Sequence, residues 1–143
     1  MTMIQVYLNF PGNAREAIAF YQTVFAAEVK AVITYADLPG GKDAGPATLH
    51  DKILHAELIV FDSRLMIADW VLESPLPYRF GTNMAAAITT SDAQRLTDAW
   101  KRMAPSSNIV MDLAPTFFSP LYGNLIDKYQ IPWQFILEGS ASS

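Results

Sequence analysis

The order strand, capped helix, further strands occurs twice in this 143-residue chain, and that repetition constrains the fold more than any single motif. In the first pass, Val6, Leu8 and Phe10 alternate with Gln5, Tyr7 and Asn9 over Met3 to Phe10, the period-2 pattern of a strand with one buried and one polar face. Pro11 and Gly12 end that strand. Asn13, followed three residues later by Glu16, has the form of a helix N-cap with a reciprocal carboxylate. Ala14, Ala17, Ile18, Tyr21, Val24 and Phe25 then recur at three- and four-residue steps, so they line one stripe of a helix that must pack on a sheet. Val29 to Tyr35 is rich in β-branched residues and predicts a second strand. Ala36 to Lys52 gathers Pro39, Gly40, Gly41, Gly45 and Pro46 into a long surface loop, a length that marks either a functional lid or disorder. His55 to Phe61 and Arg64 to Val71 follow as two strands, with Asp62 and Ser63 spaced for a tight hairpin.

The second pass repeats this grammar. Met84 to Thr90 reads as a strand, Ser91 and Asp92 offer cap oxygens, and Ala93, Leu96, Ala99, Trp100 and Met103 form a helical stripe that Pro105 ends. Ile109 to Leu113, Leu121 to Asp127 and Trp133 to Leu137 supply three more strands, with Pro115, Pro120, Gly123 and Pro132 at their boundaries or edges. The duplication is one of element order and helix spacing, not of residue identity between the halves.

Composition narrows the class. With 51% hydrophobic and 17% charged residues, the chain reads as one soluble domain, and the absence of cysteine removes disulfides and thiol nucleophiles. Its longest apolar runs, such as Leu58 to Phe61, are far shorter than the ~20 residues that span a bilayer, so no membrane insertion is expected. The start MTMIQVYLNF lacks the basic flank and apolar run of a secretory signal, which makes cytoplasmic localisation the expectation. A net charge of -4 without a basic stripe argues against nucleic acid as a partner. There is no G-x-S-x-G elbow, Walker loop, dinucleotide fingerprint or H-E-x-x-H pair, and no glycine-rich loop of the kind that holds a methyltransferase's nucleotide-like donor.

Two βαβββ units in about this length resemble the vicinal oxygen chelate superfamily, which includes glyoxalase I, extradiol dioxygenases and bleomycin-resistance proteins. More specifically, YLNFPGNAREAIAFYQTVF, HAELIVFDSRLMIAD and LIDKYQIPW together look like its PhnB-like branch, also labelled 3-demethylubiquinone-9 3-methyltransferase-like, over nearly the whole chain. The resemblance implies an α+β fold: one domain over 1–143, with modules at about 1–72 and about 82–139 forming a cupped mixed sheet. It also implies a homodimer. The family pattern tends to place glycine after the first helix and in the final turn, where this chain has Ala26 and Gln130, so those turns are expected to be locally reshaped.

In metal-dependent members of the superfamily, four inward side chains hold one divalent ion. Carried over by position, they fall on Gln5, on Met66 or Ala68, on Ala85 and on Gln134, of which only the glutamines can donate oxygen. Neutral amides without imidazole or carboxylate hold a divalent ion weakly, so no bound metal and no cofactor are expected. A register off by one residue would instead bring Asp69 inward.

The remaining polar residues supply the site candidates. His55 and Glu57 lie two apart on one strand face, and the hairpin return brings Asp69 within possible reach; a carboxylate beside an imidazole makes an acid-base pair, or a structural pin for the hairpin or dimer seam. His50, in the loop beside Asp51, reads as solvated. Gln5, Tyr7 and Asn9 face away from the first helix, and with Gln134, Trp70, Tyr122, Phe117, Phe118 and Trp133 they would line a largely apolar small-molecule site. The leading expectation is a protein that binds a small organic molecule without a catalytic metal. Its rivals are a divalent-metal-dependent lyase, isomerase or dioxygenase, and a drug-sequestering resistance protein.

Overall fold

The computed structural model describes residues 2–40, 49–70 and 75–139, and the chain divides into two compact units, 1–78 and 79–143. The first contains β1 (Tyr7–Phe10), α1 (Ala14–Phe25), β2 (Glu28–Thr34), β3 (Ile53–Val60) and β4 (Ser63–Asp69). Its strands lie in the order β1-β4-β3-β2, with β1 parallel to β4 and the remaining pairs antiparallel. The second contains β5 (Ala86–Thr90), α2 (Ala93–Met103), β6 (Asn108–Ala114), β7 (Tyr122–Ile126) and β8 (Pro132–Leu137). Its order, β5-β8-β7-β6 with β5 parallel to β8, repeats that of the first unit element for element. The α+β class and the two βαβββ modules expected from the sequence are thus present as two mixed four-stranded sheets.

All six stripe residues expected on α1 are buried, together with Leu8, Phe10, Ala56, Leu58, Leu65 and Ile67 of the sheet. Val6, expected on the core face, precedes β1 and is 39% exposed. The N-terminus of α1 also departs from expectation. Among the described residues Asn13 makes no side-chain cap bond and its buried Oδ1 has no hydrogen-bond partner, so the Asn13–Glu16 capping box is not seen. The last residue of β4 replaces it: buried Asp69 accepts from Ala14 N at 2.9 Å through Oδ1 and from Ile53 N at 2.8 Å through Oδ2. A carboxylate at a helix N-terminus meets both the free N–H groups and the positive end of the helix dipole. Helix start, β3 start and β4 end are tied together at one residue.

The β3–β4 hairpin turns at Phe61 and Asp62, one residue earlier than expected, because Ser63 already pairs with Val60. Both turn residues have positive φ, 47° and 68°, as a two-residue turn matching the right-handed strand twist requires. Edge-on contact of the Phe61 ring with Phe25, at 6.1 Å, offsets the backbone preference against a bulky residue there. The expected loop from Ala36 to Lys52 is pinned at its base by Tyr35 N to Lys52 O and Ala36 N to His50 O; its centre, 41–48, and Val71 lie outside the described residues. Across the unit's edge strand, Tyr78 Oη donates to Asn9 O at 2.9 Å.

In the second unit Leu96, Ala99, Trp100 and Met103 are buried as expected, whereas Ala93, in the first helical turn, is exposed. Asp92 caps α2 by accepting from Arg95 N at 3.0 Å. Trp100 packs perpendicular to Phe135 with ring centroids 5.1 Å apart. Gly123 makes room for this: a Cβ there would lie 2.9 Å from Trp100 Cη2 and 2.9 Å from Leu113 Cα. The β7–β8 turn is organised by buried Asp127, whose Oδ1 accepts from Tyr129 N and Ile131 N and whose Oδ2 accepts from Trp133 Nε1 at 2.8 Å.

Ala26 and Gln130 keep the left-handed conformation, at φ 51° and 70°, so the turns expected to be reshaped retain the geometry that glycine favours. At Ala26 the N–H closes the helix by donating to Gln22 O, and at Gln130 the Asp127 bonds hold the turn. These contacts offset the left-handed cost of about 1 kcal/mol. Among the described residues no helix is long and apolar enough to cross a membrane.

Candidate functional site

Strand alternation places Tyr7, Asn9, His55, Glu57, Met66 and Ala68 on the face of the first sheet opposite α1, since their neighbours Leu8, Phe10, Ala56, Leu58, Leu65 and Ile67 fill the helix side. Register sets their spacing. Tyr7 and Glu57 both lie opposite Met66, on either side of β4. Tyr7 reaches His55, two residues further along β3 than Glu57, so its side chain spans the intervening strand β4. Tyr7 Oη and His55 Nδ1 are 2.7 Å apart, and the rings are 5.5 Å apart.

Burial raises the Tyr7 pKa above its ordinary value of 10.0, with further increments from the nearby Tyr35 and Glu57. The phenol therefore stays protonated at neutral pH and shares a hydrogen bond with Nδ1, while the other ring nitrogen, Nε2, lies 3.6 Å from Glu57 Oε1. Glu57 is held from its other side by Arg64, whose Nη1 donates to Oε1 at 2.8 Å; Arg64 Nε and Nη2 both donate to Gln5 Oε1. The result is a continuous polar row, Tyr7, His55, Glu57, Arg64 and Gln5, drawn from the segment before β1, β1 itself, β3 and β4. Arg64 was not a sequence candidate, although its place at the hairpin start, diagonal to Glu57, was readable from strand pairing.

Asp69 does not join this row. It shares the helix face with Leu65 and Ile67, which removes it from the expected acid-base group and rules out the one-residue register slip. Trp70 is half-buried beside the row's strand, with its Nε1 donating to Leu76 O at 2.9 Å and its ring 6.2 Å from that of Tyr78. His50, expected to be solvated, has a buried Nε2 with no hydrogen-bond partner among the described residues.

The second sheet presents an equivalent open face. Gln134 lies opposite both Ala87 and Asn124, while the flanking Trp133 and Phe135 point into the core beneath α2. Trp133 is thus a core residue and not a site wall. Asn124 Nδ2 donates to Tyr122 Oη at 3.1 Å, and Phe118 meets the Tyr122 ring edge-on at 5.0 Å. Phe117 is fully exposed. Asn124, like Arg64, was not singled out from the sequence.

The donor set does not fit the divalent ion of the metal-dependent relatives. At the carried-over positions Gln5 already accepts from the Arg64 guanidinium, a cation that would oppose a second one; Met66 offers a thioether; Ala68 and Ala85 offer methyl groups; Gln134 offers a neutral amide. Among the described residues no three His, Asp or Glu side chains converge.

The repeated βαβββ unit and its strand order define the vicinal oxygen chelate class of fold. Residues 2–136 match the family described as 3-demethylubiquinone-9 3-methyltransferase, and the chain belongs to that PhnB-like family. It is 26% identical to protein YjdN of Escherichia coli strain K12 over 134 residues, 89% of each chain. The crystal structure of protein PA1353 from Pseudomonas aeruginosa superposes with a TM-score of 0.81 at 27% identity, covering 96% of this chain and 98% of that one. A putative 3-demethylubiquinone-9 3-methyltransferase, the PhnB protein from Bacillus cereus, gives 0.72 at 25% identity, covering 96% and 100%.

Proposed function

We propose that this protein binds a small organic molecule on the open, helix-free faces of its sheets, without a catalytic metal, as a cytoplasmic homodimer. The observation that carries the reading is the Tyr7–His55–Glu57–Arg64–Gln5 row, an ordered line of hydrogen-bonding groups on a half-exposed sheet face. Groups used only for folding are normally buried with their partners, as Asp69 and Asp127 are; this row instead keeps Tyr7 43% exposed. Asn9 and Trp70 flank the row and offer it side walls.

His55 and Glu57 are the candidate proton-handling groups. Tyr7 holds the imidazole through Nδ1 and Arg64 holds the carboxylate, so a bound molecule would meet an imidazole and a carboxylate fixed side by side. Methyl transfer is not part of the proposal, since none of the strands in the parallel pairs, β1 with β4 and β5 with β8, is followed by a glycine-rich sequence of the kind that cradles a nucleotide-like donor. Exposed Phe117, Phe118, Val110 and Met111 supply apolar surface that a second copy would cover.

Native mass spectrometry of protein purified without a histidine tag tests the proposal. The expected spectrum shows twice the chain mass and a retained organic mass, the latter reduced in Tyr7→Phe and His55→Gln. A stoichiometric transition metal, or a bare monomer that retains nothing after exposure to cell extract, overturns it.

A further inference from the structure

We infer that the open face of the second sheet recognises a neutral, amide-like edge: a carboxamide, lactam or ureido group presenting a donor and an acceptor together. The inference deepens the small-molecule reading, but it stands on β7 and β8 alone. Gln134 and Asn124 are direct cross-strand partners, which places their Cβ atoms about 5 Å apart and their amides side by side. Asn124 is not free to turn. Its Nδ2 is committed to Tyr122 Oη, so its Oδ1 is presented as an acceptor.

Tyr122, having accepted from Asn124, still has its own O–H to donate. The adjacent Gln134 amide carries both functions and turns to suit. The three half-buried groups thus form one fixed donor, one fixed acceptor and one adaptable amide, all uncharged. Around them lie the Ala87 and Ile136 side chains, set by register, and the edge-on Phe118 ring.

This chemistry selects between ligands of one shape. A carboxamide gives an N–H to Asn124 Oδ1 and takes a hydrogen bond from Tyr122 or Gln134. A carboxylate offers acceptors only, repels Asn124 Oδ1, and loses its hydration without a cation to replace it. Half-buried amides left without partners would cost stability if the face were always covered by hydrocarbon, which argues for a polar occupant.

Benzamide and benzoate, nearly isosteric, serve as probes. The readout is the pair of side-chain NH2 cross-peaks of Asn124 and Gln134 in 1H–15N spectra, assigned by their loss in Asn124→Leu and Gln134→Met. Benzamide is expected to move both pairs saturably, with an apparent affinity about five- to tenfold above that of benzoate, the equivalent of one hydrogen bond. Gln134→Met should erase that preference while the backbone spectrum outside β7 and β8 stays unchanged. Equal affinities, a preference for benzoate, or no shift of either amide up to the solubility of benzamide overturns the inference. The His55 ring signals, read in the same titration, report on the first sheet separately, so a null at Asn124 and Gln134 with a response at His55 removes this inference and leaves the proposed function standing.

Discussion

The two units share one strand order and one helix placement, yet they secure the start of the helix by different means. In the second unit Asp92 caps α2 from the adjoining position, an exposed contact within one turn. In the first, the adjoining Asn13 makes no cap bond, and Asp69 reaches Ala14 across 55 residues while also holding Ile53. The difference teaches where coupling resides. An exposed local cap supports one helix turn, whereas a buried distant carboxylate makes helix, central strand and strand end depend on one another.

The largest expected effect follows directly. Asp69→Ala leaves two buried backbone donors unpaired and should lower stability by about 3 kcal/mol in denaturant unfolding, since hydrogen bonds to a charged group are each worth roughly 1.5–3 kcal/mol. A loss below about 1 kcal/mol, the ordinary value of a local cap, would break the contrast between the units. Asp92→Ala supplies the other arm, with an expected loss of about 1 kcal/mol by the same measurement. Smaller still, Ala26→Gly should raise the unfolding midpoint, because φ of 51° strains an alanine by up to about 1 kcal/mol. Gln130→Gly should gain less than that, as Asp127 already holds its turn.

The smallest effect is one of pH. The folded Tyr7 pKa lies above the unfolded value of about 10, so its contribution to stability is complete below pH ~10 and is lost as pH rises through the folded value. An ultraviolet phenolate titration of wild type minus Tyr7→Phe should show this late-ionising phenol. A Tyr7 that titrates at or below its ordinary value would show that burial and the neighbouring Tyr35 and Glu57 do not act on this phenol.

Legibility in the sequence differed by residue for physical reasons. Both helical stripes and both strand sets were readable, because periodicity is local and burial imposes it on every core-facing position. The open-face placement of Tyr7, Asn9 and Gln134, and the shared face of His55 and Glu57, followed from alternation alone. Trp133 and Asp69 were misplaced where alternation was not enforced: Trp133 adjoins Gln134 and so must face the other way, and Asp69 keeps step with Leu65 and Ile67. Arg64 and Asn124 were passed over because each gains meaning only from its partner on the next strand.

What the sequence determined by itself was the order of elements, the buried stripe of each helix and the polar side of each strand, all products of residue spacing. Tertiary structure alone decided that Asp69 would cap a helix far away, that Phe61 would hold a left-handed turn, and that Tyr7 would reach across β4 to His55. Those outcomes depend on which strands pair and in what register, and pairing is a balance of contacts between distant segments that no local pattern encodes.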